Sequence, residues 1–136
     1  MEIRPAQMCD CAGILKYDRH IPVERIHACI QSGQLDVLCE GENILGILRW
    51  NLFWQSIPFL DLLFVDETCR GRGFGSAMMC QWEEAMKAMG YAWVMLSTQA
   101  DETARFFYEK LGYQAIGGFA PFGEPYELIL MKKLTL

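Results

Sequence analysis

The residues of this chain best suited to chemistry lie in one stretch, LDLLFVDETCRGRGFGSAMM, from Leu60 to Met79. A short apolar strand, Leu62 to Val65, is followed by Arg70, Gly71, Arg72, Gly73, Phe74, Gly75 and Ser76, and then by a pattern that reads as an amphipathic helix. A strand, a glycine-rich turn and a helix in that order aim several backbone N–H groups and a helix N-terminus at one anion. Gly73 and Gly75 remove Cβ atoms where a ligand would press on the backbone, while Arg70 and Arg72 add positive charge. The ligand that suits the run 71–76 is a diphosphate.

Two familiar nucleotide sites do not fit. Ser76 stands where the third glycine of a dinucleotide-binding G-x-G-x-x-G belongs, and no acidic residue ends a strand about 20 positions on. The Gly-Lys-Ser/Thr of a nucleoside triphosphate loop is missing as well. What remains is Arg70-x-x-Gly73-x-Gly75.

The elements that must position this turn can be read from periodicity. Residues 2–4 form a short strand stopped by Pro5, and apolar positions over 6–18 and 22–33 fall at helical spacing. Val23, Ile26 and Ile30 would face inward on the second of these helices. Strands follow over 35–39, 44–53 and 59–65, the first two joined by the turn residues Gly41, Glu42 and Asn43. A turn at Gln55, Ser56, Ile57 and Pro58 leads into the third. Phe74, Met78, Trp82, Ala85 and Met89 mark a long helix that Gly90 would cap, and residues 93–97 a buried strand. A strand, helix, strand order of this kind implies a right-handed crossover and a parallel pair. Asp101 is placed to cap a shorter helix over 104–111, and strands over 114–119 and 127–131 complete the chain. These elements predict one α/β (α+β) domain over residues 1–136, a mixed sheet of about six to seven strands flanked by about four helices.

Composition bounds the function. The chain has 136 residues, 52% hydrophobic and 21% charged, which suits an ordinary globular domain. Its net charge of −5 argues against a nucleic-acid surface and mildly favours a cationic partner such as an amine. No apolar run approaches the ~20 residues of a membrane helix, and the opening Met-Glu-Ile-Arg lacks a signal-peptide pattern, so the expected compartment is the cytoplasm. Six cysteines and two histidines show no metal-ligand spacing, and the cysteines read as reduced thiols.

With these residues in view, the chain resembles the Gcn5-related N-acetyltransferase (GNAT) family. The family's Q/R-x-x-G-x-G/A turn for the acetyl-CoA pyrophosphate is matched by Arg70, Gly73 and Gly75. Its Asn-x-x-Ala-x-x-Phe-Tyr-x-Lys-x-Gly-Phe/Tyr pattern is matched by Ala104, Phe107, Tyr108, Lys110, Gly112 and Tyr113, with Asp101 in place of the usual Asn.

The resemblance implies acetyl-CoA as acyl donor and a primary amine of a small molecule or peptide as acceptor, with no metal. Exposed strand edges and the aromatic C-terminal half suit a monomer or homodimer, while the charge and the short apolar runs predict no nucleic-acid or membrane partner. Residues 71–76 with Arg70 would hold the diphosphate, and Leu63, Phe64 and Val65 the pantetheine arm; Asp101, Phe107, Tyr108 and Lys110 complete the implied cofactor set. An amine of pKa about 10.4 is protonated at pH 7, so freeing its lone pair costs on the order of 4 to 5 kcal/mol unless a base assists. Asp61, the one carboxylate in an otherwise apolar strand, stands where the family often carries its base. Tyr108 occupies the position that assists the departing CoA thiolate. Acceptor specificity would come from Trp50, Phe53, Trp54 and Phe119 beside Glu24, Asp36, Glu124 and Glu127, a mixture suited to a cation with an apolar body. The same turn without a working base would instead make a non-catalytic acyl-CoA binding or sensing module.

Overall fold

The structure, a computed structural model, describes residues 1–134. In chain order the elements are β1 (Glu2–Pro5), a 3-10 turn (Met8–Asp10), α1 (Cys11–Ile14), α2 (Val23–Gln31), β2 (Leu35–Glu40), β3 (Asn43–Phe53) and β4 (Ile57–Val65). A second 3-10 turn (Glu67–Cys69), α3 (Phe74–Ala88), β5 (Trp93–Gln99), α4 (Ala104–Lys110), β6 (Gln114–Phe119) and β7 (Glu127–Lys133) follow. The strands form one mixed sheet in the order β1-β2-β3-β4-β5-β7-β6. β4 and β5 pair in parallel at Phe59↔Met95 and Leu60↔Leu96, as the crossover through α3 requires, whereas β5–β7 and β6–β7 are antiparallel. No helix among the described residues is long and apolar enough to cross a membrane.

By internal packing the chain forms two compact units, Met1–Asn51 with Leu62–Gln81, and Leu52–Asp61 with Trp82–Leu136. In the first, Ile14 of α1 and Ile26 and Ile30 of α2 bury against Leu35, Val37, Cys39, Ile44 and Ile47, with Leu62 and Phe64 packed on the cluster. In the second, the buried residues include Leu60, Trp82, Met86, Val94, Leu96, Tyr113 and Leu130.

Four sequence expectations change. The helix expected over 6–18 is only a 3-10 turn and the single turn α1. Glycine weakens a helix by about 1 kcal/mol relative to alanine, and Gly13 is needed because a Cβ there would stand 2.6 Å from Ile44 Cγ1. Beyond α1, Asp18 turns inward to an ion pair with Arg49 instead of continuing the helix. On α2, Val23 is exposed, so the inner face is Ile26 and Ile30. α3 buries Met78, Met79, Trp82 and Met86, while Ala85 and Met89 are exposed. It ends at Gly90 (φ 94°) with the Tyr91 N–H donating to the Met86 carbonyl at 3.1 Å. The hairpin before β4 is tighter than expected: the turn is 54–56, and Ile57 and Pro58 already belong to β4.

Candidate active site

In the first unit the turn after β4 is built by short-range contacts. Arg70 Nε donates to the Val65 carbonyl at 2.9 Å, and its guanidinium lies 5.0 Å from the centre of the Phe64 ring. The fork is therefore folded over the end of the strand with its Nη donors still available. Gly71 (φ 74°) and Gly73 (φ 83°) take left-handed backbone angles. A Cβ on either would meet nothing within 4 Å, so glycine is required here by conformation and not by crowding within the protein.

α3 begins immediately, and its first bond runs from the Ala77 N–H to the Gly73 carbonyl at 3.0 Å. Among the described residues the backbone N–H groups of 71–76 have no protein acceptor. Six successive donors leading into a 15-residue helix, preceded by Arg70 and including Arg72, suit an anion. Arg72 is supported by its own stack, 5.0 Å from the Phe74 ring centre.

Between β4 and this run, Asp66 caps the second 3-10 turn. Its carboxylate accepts from Thr68 N at 3.0 Å, Thr68 Oγ1 at 2.6 Å and the Tyr17 hydroxyl at 2.7 Å. Hydrogen bonds from Thr68 and Tyr17 hold the Asp66 carboxyl below its usual range. Burial, and then Asp66, push the Tyr17 hydroxyl up to about 12.

In the second unit Tyr108 lies on α4, half-buried, in edge-on contact with Phe107 (5.1 Å) and Tyr113 (6.0 Å). Tyr113 is buried and donates to Glu83 at 2.8 Å; Lys132 donates to the other oxygen of Glu83 at 2.6 Å. That frame holds the ring of Tyr108 from behind. Its hydroxyl has no hydrogen-bond partner among the described residues, and burial pushes its pKa up to about 12. It is a proton donor that the protein itself leaves unused. Lys110 is exposed in the last turn of α4. Asp101 does not cap α4: the N-cap is Thr103, without a side-chain capping bond, and Asp101 is exposed in the preceding turn.

On the second unit's segment of β4, Asp61 is exposed. It is on the same face as Phe59 by alternation. Phe59 stacks with Phe53 at 6.1 Å, and the Phe53 ring lies 4.8 Å from the Trp54 ring, tilted by 43°. Trp54 is 79% exposed and, with Gln55, takes positive φ (55° and 56°), the hand that matches the twist of a β-hairpin. Phe119 ends β6, 50% exposed. Trp50 differs: at 6% exposure it is buried in β3 and presents no open face to an acceptor. Two contacts that no local pattern announced are Tyr17 with Asp66, separated by 49 positions, and Ser97 Oγ with Glu127 at 2.7 Å, separated by 30.

A model of the acetyltransferase (GNAT) domain matches residues 31–115, more than half of the chain. Among solved structures, Ard1 from Thermoplasma volcanium is similar at a TM-score of 0.85 and 16% identity, covering 99% of this chain and 98% of that one. The ribosomal-protein-S18-alanine N-acetyltransferase from Escherichia coli follows at 0.79 and 14% (99% and 94%). An aminoglycoside 6'-N-acetyltransferase complexed with coenzyme A stands at 0.81 and 13% (100% and 98%). At these identities the likeness is one of fold. No curated protein sequence matches the chain.

Proposed function

The chain belongs to the GNAT family of acetyltransferases, and on that footing we propose that it transfers an acetyl group from acetyl-CoA to a primary amine of a small molecule or peptide. The observation that carries the proposal is the row of N–H donors from 71 to 76 that lack a protein acceptor, leading from Arg70 through Arg72 into the start of α3. In this reading those groups bind the CoA diphosphate, and the backbone of Leu63, Phe64 and Val65 takes the pantetheine arm. Asp101, Phe107 and Lys110 add contacts to the cofactor.

Asp61, directly or through water, takes the ammonium proton; the freed nitrogen then attacks the thioester carbonyl, the C–S bond breaks, and Tyr108 gives its proton to the departing thiolate and is reprotonated, through solvent, by the proton that the new amide nitrogen sheds. The Tyr108 hydroxyl suits that step because burial keeps it protonated well above neutral pH. A thiolate, from a thiol of pKa about 8.5, gains from such a donor.

Phe53, Trp54 and Phe119 line the acceptor, with Trp50 acting only from within the core. Acceptors named for proteins of the same fold, a ribosomal-protein alanine and an aminoglycoside, span the proposed range of peptide and small-molecule amines. The protein is proposed to work in the cytoplasm as one catalytic domain, alone or as a homodimer, by a route that calls for no metal.

Purified protein mixed with acetyl-CoA and a panel of amines should release free thiol in proportion to acetylated product. CoA binding without turnover on any amine would support an acyl-CoA sensor in place of the enzyme, and failure to bind CoA would overturn both.

A further inference from the structure

Tyr17 stands outside every motif, just past the end of α1, yet it makes two contacts with the residues that lead from β4 into the glycine-rich turn. Its hydroxyl lies 2.7 Å from Asp66 Oδ2 and 3.1 Å from the Ile44 carbonyl; the shorter contact, to a carboxylate, takes the proton. Its ring lies 5.2 Å from the Phe64 ring, tilted by 31°. Both neighbours lead to the diphosphate-binding groups. Asp66 is fixed at its own backbone by its N–H bond to the Leu45 carbonyl at 2.7 Å, and its side chain caps the 3-10 turn whose next residue is Arg70. Phe64 is the platform on which the Arg70 guanidinium lies.

We propose that Tyr17 is a positioning residue for the cofactor's diphosphate, acting through Asp66 on the path of the turn and through Phe64 on the placement of Arg70. The inference rests on the assignment of residues 70–76 to a diphosphate. A left-handed glycine pair has no side chains of its own to hold its entry angle, so the angle must be set upstream, and Tyr17 with Thr68 supplies the donors that set it. Phe64 thus serves the cofactor through its ring as a support for arginine.

The test measures CoA and ADP binding by calorimetry, because ADP carries the diphosphate and none of the pantetheine arm. Tyr17→Phe keeps the ring on Phe64 and removes only the hydroxyl. The expected result is a loss of about three- to tenfold in affinity, by the same factor for CoA and ADP. Asp66→Asn should weaken both ligands likewise, and the double variant should be no worse than the weaker single one, since the two side chains make one contact. Thermal melting of each variant shows that it is folded. Unchanged ADP affinity in folded Tyr17→Phe and Asp66→Asn proteins, or additive losses in the double variant, would overturn the inference alone. A wild-type protein that binds CoA but not ADP would overturn the diphosphate assignment beneath it.

Discussion

The glycine-rich turn of the first unit and the Tyr108 region of the second are made by different means. The turn is main chain: glycine angles, a helix start and N–H groups, all within residues 70–77, with side chains from Tyr17 and Asp66 holding its entry. The Tyr108 region is side chain: a phenol whose ring is held by Tyr113, just before β6, which is in turn tied to Glu83 of α3, itself bound by Lys132 of β7. A backbone site keeps its geometry through most side-chain changes and fails through conformation. A side-chain site fails one hydrogen bond at a time.

An ion pair elsewhere in the first unit supplies the largest expected effect. Asp18 is fully buried, 2.7 Å from Arg49 Nε, and also accepts from the His20 backbone N–H at 3.2 Å. Burial alone would raise its pKa, but the hydrogen bonds and charge of Arg49, with His20, bring it below the usual carboxylate range. Asp18→Asn, which sets the guanidinium against a neutral amide, should cost about 3–5 kcal/mol in chemical denaturation at neutral pH. A lowered carboxylate pKa stabilises above the unfolded value of about 3.9 and loses that stabilisation as pH falls through the folded value. The wild-type advantage should therefore shrink in acid, and equal losses at pH 7 and pH 3 would contradict the ion-pair account.

Next in size, Tyr108→Phe should lower kcat on the order of a hundredfold while leaving CoA affinity within about twofold, if the phenol serves the thiolate and not the diphosphate. With its pKa pushed up to about 12, the wild-type rate should show no loss of this donor between pH 8 and 10. An equal fall in CoA affinity would merge the two regions that the comparison separates.

Gly73→Val forces a β-branched residue to φ 83°, a conformation that costs about 1–2 kcal/mol, and should weaken CoA binding by about tenfold or more with little change in kcat at saturation. Smallest of the four, Glu83→Gln should keep the Tyr113 bond while replacing the Lys132 ion pair by a neutral contact. About 1 kcal/mol of stability and a few-fold drop in kcat are expected, with CoA affinity unchanged.

The difference between the regions also explains what could be read in advance. Gly71, Gly73 and the start of α3 stand side by side in sequence, so their pattern is visible without coordinates. The α3 and α4 segments were likewise legible because apolar residues recur at helical spacing and Gly90 and Gly112 close them. Reading failed where a tertiary contact outweighed local preference: at 6–18, where Gly13 packs on Ile44 and Asp18 seeks Arg49, and at Trp50, whose burial its sequence neighbours do not disclose.

The sequence by itself therefore determined the family, the order of elements and the residues of the glycine-rich turn before α3, since each rests on spacing within a few positions. Only the tertiary structure decided that Asp101 leaves α4 uncapped, that Trp50 is core, and that Tyr17 reaches Asp66 across 49 positions. Such contacts form where the folded chain lowers their joint free energy, and no periodicity within one segment carries that information.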